Sequence, residues 1–126
     1  MNWTYDARQN DTGVGAIECQ IVFEDGSSEV LSNLGYHSPE GFQIGYGGSG
    51  PADFAYSILM DFLLRTKICS AINVSGKTES LHQQFKNDFI AKEKYRNPNY
   101  YLVISSKTIN EWLKKQVENN EREEND

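Results

Sequence analysis

Ile17, Cys19, Ile21 and Phe23 alternate with more polar neighbours. A period of two is that of a half-buried strand. Residues 3–8 read as a shorter strand before it, with a loop over residues 9–13. Asp25-Gly26 supplies a turn, and residues 28–34 return as the paired strand. After a loop at 35–41, Phe42, Ile44 and Tyr46 alternate again and predict one more short strand. The period then changes. From Pro51 to about Ile68, Phe54, Ala55, Ile58, Leu59 and Phe62 share one helical face, widened by Met60, Leu63 and Leu64. So broad a stripe predicts a central helix, or one covered on a second side by another subunit. Residues 73–76 read as a break. Thr78 or Ser80 is placed to cap a second helix ending near Ala91, and Asn97-Pro98-Asn99 marks a turn. Residues 101–105 form the last strand. Residues 107–117 form a helix with Ile109, Trp112, Leu113 and Val117 on one face. The order strands, helix, helix, strand, helix predicts an α+β fold: a small, mostly antiparallel sheet with two to three helices packed on it.

Length and charge narrow this further. The 126 residues suit one domain over residues 1–117. Residues 118–126 hold five acids and one Arg, and are expected as a disordered acidic tail. The net charge of -6 is uneven: residues 1–64 hold one basic residue, Arg8, against nine acidic ones, whereas residues 77–115 hold eight basic and four acidic. Bulk nucleic acid is therefore a poor partner, while a local basic patch can still meet one small anion. No apolar run approaches the roughly 20 residues of a membrane span, and residues 1–6 lack the pattern of a signal peptide. Cys19 and Cys69 form no CxxC and are expected reduced, in a cytosolic protein. No ligand spacing for a metal is present, and no cofactor is expected.

The chemistry concentrates in Gly45-Tyr46-Gly47-Gly48-Ser49-Gly50-Pro51-Ala52-Asp53. A strand running through glycines into a helix makes an anion site, because the first helical N–H groups lack partners and sit at the positive end of the dipole. Glycines permit positive φ and close approach of a phosphate. Ser49 is placed to cap the helix or donate to phosphate; Asp53 to cap the first turn or accept from a ribose hydroxyl. Pro51 suits the first helical position. The run is no nucleotide-hydrolase loop, since no Lys-Ser/Thr follows, and its Gly-x-Gly-x-x-Gly string lacks the surrounding βαβ unit. A tight turn that needs glycine only for geometry explains the same residues equally well. A second signal lies in residues 83–101, where Phe85, Phe89, Tyr95, Tyr100 and Tyr101 interleave with Lys86, Lys92, Lys94 and Arg96. Aromatics stack on bases while cations meet phosphates, and Phe85, Lys86 and Arg96 are the candidates taken from it. Phe85 and Phe89, four apart, also fit a plain core face. No nucleophile elbow, paired carboxylates or His/Cys arrangement is recognisable, so no enzyme is expected.

The stretch from Gly35 to Asp53, with His37-Ser38-Pro39-Glu40-Gly41-Phe42 followed by Gly45-Tyr46-Gly47-Gly48-Ser49-Gly50-Pro51-Ala52, resembles the hallmark of the first-described phage Thoeris anti-defence sponges. The same motif occurs in related small domains of unknown function. The resemblance implies an anti-defence protein of the host cytoplasm. It would bind a cyclic ADP-ribose isomer made by TIR-domain proteins without cleaving it, and so block Thoeris signalling. It implies ligand contacts at the motif positions His37, Phe42, Tyr46, Gly47, Gly48, Ser49, Gly50 and Asp53. It implies assembly through dimers into a hexamer, with pockets at subunit contacts, and in some members a separate site for cyclic oligonucleotides. A sponge for such oligonucleotides, or an enzyme degrading a cyclic nucleotide, is the alternative. Bottom-up, a loop histidine such as His37 is more often a hydrogen-bonder than a catalyst.

Overall fold

The computed structural model describes residues 2–9, 17–35, 41–44, 47–91 and 101–125. Its elements run β1 (Trp3–Gln9), β2 (Ile17–Phe23), β3 (Ser28–Val30), α1 (Ser49–Thr66), a 3₁₀ turn (Ala71–Asn73), α2 (Val74–Phe85), a π-turn (Lys86–Ile90), β4 (Tyr101–Ser105) and α3 (Ser106–Asn125). The four strands form one antiparallel sheet in the order β3-β2-β1-β4, so the fold is α+β.

The alternation seen in the sequence sets the sheet's two faces. Tyr5 pairs with both Ile21 and Ile104, and Ala7 with Cys19. All five are buried, together with Trp3 and Ile17. Thr4, Asp6, Arg8 and Glu18, one step out of phase, lie on the other face and are half-buried or exposed. The buried face meets α1, where Trp3 packs on Phe62 with ring centroids 5.8 Å apart. The far side of α1 packs against α2. Trp112 of α3 closes the cluster edge-on against Phe85 at 5.3 Å, and its Nε1 donates to Asp88 at 2.7 Å.

This placement explains the wide stripe on α1. Phe54, Ala55, Ile58, Leu59, Phe62 and Leu63 are all buried within the one chain, as are Trp112 and Leu113. A second subunit is not needed to cover them.

Several elements differ from the sequence expectation. β3 ends at Val30, with one further bond from Leu31 N to the Cys19 carbonyl. The chain then leaves the sheet for α1, where Leu34 N donates to Ser57 Oγ at 2.8 Å. No strand forms over Phe42 and Ile44. Gly41 turns with φ 80°, and among the described residues one backbone bond joins this segment to β2, from Ile17 N to Phe42 O. Phe42 and Ile44 are still buried, so their alternation records core contact rather than a ladder. α2 begins at Val74, because Val74 inserts into the core and Gly76 costs the helix only backbone entropy. Thr78, deep inside α2, bonds back to the Val74 carbonyl and caps nothing. α3 continues to Asn125, so residues 118–125 extend a helix where a disordered tail was expected. Glu and Arg are good helix formers, which the charge count overlooks.

Candidate functional site

α1 starts two residues earlier than Pro51 suggests. Gly48 is its N-cap, with extended backbone at φ -90° and no side-chain cap bond, and its carbonyl accepts from Ala52 N at 3.1 Å. Ser49 is therefore the first helical residue and not the cap, and Pro51 is the third. Helix geometry leaves the Ser49 and Gly50 N–H groups without intrahelical acceptors, while Pro51 has no N–H to satisfy. Gly47, Gly48 and Gly50 do not use positive φ: among described glycines only Gly26 and Gly41 adopt it.

The glycines of this turn have different jobs. A Cβ on Gly50 would run into the Gln43 side chain, so Gly50 is a packing residue under the helix start. A Cβ on Gly47 would meet nothing within 4 Å. Bare backbone at Gly47 thus borders open space.

That space is a cleft of about 440 Å³ between α1 and α2. Its α1 wall carries Ser49, Ala52, Asp53 and Tyr56, and its other wall carries Glu79, His82 and Gln83 of α2 with Lys86, the first residue of the π-turn that continues it. Both sets follow the i, i+3, i+4, i+7 spacing of one helical face. Lys86 lies at the helix start, where its Nζ donates to the Gly47 carbonyl at 3.2 Å and to Gln83 Oε1 at 2.7 Å. Only 9% of Lys86 is exposed. Both acceptors are neutral.

The bonds along α2 form one directed chain. A carbonyl only accepts, so His82 Nδ1 donates to the Glu79 carbonyl at 2.9 Å. His82 Nε2 then accepts from Gln83 Nε2 at 3.2 Å, which turns Gln83 Oε1 toward Lys86. Tyr56 meets the His82 ring at 5.3 Å and 83°, forming a right-angled corner two turns into the cleft.

The predicted residues divide accordingly. Gly47, Gly48, Ser49, Asp53 and Lys86 line the cleft together. Asp53 is 1% exposed, and its carboxylate packs against Gly35, where a Cβ on that glycine would lie. Phe42 and Phe85 are corrected to core residues. Phe42 stacks on Phe54 at 5.0 Å, and Phe85 is fully buried between Phe89 and Trp112. His37, Tyr46 and Arg96 lie outside the described residues. Sequence reasoning missed Tyr56, Glu79, His82 and Gln83. Their signal was a polar helical stripe, which looks the same on a solvent face.

Among the described residues no group of three or more His, Cys, Asp or Glu side chains is gathered to hold a metal ion. Nor is any described helix long and apolar enough to cross a membrane.

No curated protein and no solved structure matches the chain. The model of the family of unknown function DUF6166 matches residues 5–115, and the chain belongs to that family.

Proposed function

We propose that this protein binds a small phosphate-bearing nucleotide in the α1–α2 cleft and sequesters it without cleavage. Its ligand is a TIR-derived cyclic ADP-ribose isomer, and it acts in the cytoplasm of a phage-infected host to block Thoeris signalling. The observation that carries this is the Lys86 ammonium, nine-tenths buried at the start of α1 and bonded among the described residues to the neutral Gly47 carbonyl and Gln83 Oε1, with Asp53 and Glu79 the acidic residues of the same lining. A buried charge calls for a counter-charge. The helix start beside it offers oriented N–H donors and a positive dipole end, so an anion here satisfies both at once. The phage-specific part of the proposal comes from the motif at residues 35–53, and so does assembly into dimers and a hexamer.

The test is incubation with a pool of cyclic ADP-ribose isomers and cyclic oligonucleotides, followed by heat release and mass spectrometry. Recovery of an unchanged cyclic ADP-ribose isomer is expected. Recovery of a cyclic oligonucleotide alone would reassign the ligand. A second reading, an enzyme that opens a cyclic nucleotide, gains from the His82 imidazole beside Lys86 in the cleft. Conversion of the bound nucleotide into a linear product would establish it instead.

A further inference from the structure

Beyond the phosphate end, the cleft has a second end of different chemistry. Ser49 and Tyr56 lie seven residues apart on α1, which is about 10 Å along a helix axis. Lys86 reaches Gly47 at the first end, and His82, one turn earlier on α2, reaches Tyr56 further in. The cleft is therefore polar at its mouth on the helix start, where Lys86 and Asp53 both line it, and ring-lined two turns away. Tyr56 is half-buried, whereas His82 is 8% exposed. Tyr56 is thus the wall that a ligand touches. His82 braces it edge to face, and is itself fixed by its bonds to the Glu79 carbonyl and the Gln83 amide.

We infer that Tyr56 is the base platform of the site: a nucleotide with its phosphates at Gly47, Ser49 and Lys86 lays its base against the Tyr56 ring. This rests on the anion-binding function given above. An aromatic wall two turns from an anion site suits a flat heteroaromatic ring, because stacking tolerates any base and needs only a braced ring face. Phe42 and Phe85, two aromatics expected to touch ligand, are sealed in the core, and among the described residues Tyr56 is the half-buried tyrosine that lines this cleft.

Calorimetric titration with inorganic pyrophosphate and with ADP separates the two ends. Wild-type protein should bind ADP about tenfold or more tightly than pyrophosphate. Tyr56→Leu, which keeps an apolar side chain without a ring, should abolish that difference while leaving pyrophosphate affinity unchanged, and Tyr56→Phe should restore it. Pyrophosphate bound as tightly as ADP by the wild type would overturn the base platform but leave the anion site standing. Equal loss of both ligands in a folded Tyr56→Leu protein would do the same. Binding of neither probe by the wild type would overturn the anion site itself, and the platform with it.

Discussion

The Lys86 ammonium and the Gly47 carbonyl, 39 positions apart in the chain, meet at 3.2 Å. That contact joins the two signals that the sequence showed separately: the glycine-rich turn and the aromatic-basic segment. It also sets the site's charge. Gly47 borders open space, Lys86 supplies a nearly buried cation, and Gln83 holds that cation from the α2 side.

Lys86→Met keeps the stem and removes the charge. Losing a charge-assisted hydrogen bond costs roughly 1.5–3 kcal/mol, so pyrophosphate affinity should fall about ten- to a hundredfold. Thermal stability should stay level or rise, because a buried ammonium with neutral partners is replaced by an apolar side chain. Titration calorimetry and a melting curve read both. Unchanged affinity would remove Lys86 from the anion site.

Gly47→Val and Gly50→Val should part company. At Gly47 the fold has room and φ is not left-handed, so the melting temperature should hold while ligand approach is blocked. At Gly50 a Cβ would come within 2.7 Å of Gln43 Cβ, so the protein should lose about 1–3 kcal/mol of stability whether or not ligand is present. Normal binding by Gly47→Val would make this turn a purely geometric feature.

Asp61 ties the sheet to α1. It accepts from the buried Tyr5 hydroxyl at 2.7 Å and from Arg65 Nε and Nη2 at 3.2 and 3.0 Å. Arg65 also lies over the Phe23 ring at 5.1 Å. Asp61→Ala strands the Tyr5 hydroxyl and should cost about 2–3 kcal/mol in denaturant titration, whereas Tyr5→Phe, which leaves the Arg65 pair intact, should cost about 1 kcal/mol. A larger loss from Tyr5→Phe would show that the hydroxyl, not the ion pair, dominates.

Burial, reinforced by Asp6 and Asp61, pushes the Cys19 thiol from its ordinary 9 up to about 12. Burial and then Asp61 also push the Tyr5 hydroxyl far above its usual value. Both groups hold their protons more tightly folded than unfolded. The Cys19 share of this stability is complete below pH 9 and is lost as pH rises from 9 to 12, and the Tyr5 share begins to fall above pH 10. Denaturant midpoints should therefore drop across that window, and Cys19→Ser should blunt the drop. At pH 8 a thiol reagent should label the half-buried Cys69 well before Cys19. Rapid labelling of Cys19 would contradict this.

Deletion of residues 118–126 should leave nucleotide affinity unchanged or slightly improved. The segment is acidic, and an anionic ligand gains nothing from it. In the fold it continues α3 as helix to Asn125. A large loss of affinity on deletion would place this segment at the pocket.

Local pattern by itself determined the fold class, the inward face of β1 and β2, the buried stripe of α1 and the location of the glycine-rich turn at the start of α1. These follow from side-chain period and from glycine next to a helix start, and both are properties of neighbouring residues. Tertiary structure alone decided the rest. It made Phe42 and Phe85 core residues, because burial depends on what packs opposite and not on residue type. It replaced the strand at Phe42 and Ile44 with a packed segment, since alternation records which side chains are buried and not whether a ladder forms. It gave Gly50 to packing and Gly47 to the cleft, although the two are alike in sequence. It also made Tyr56, His82 and Gln83 part of a site, because a polar helical face reads as solvent-exposed until a second such face is seen across from it.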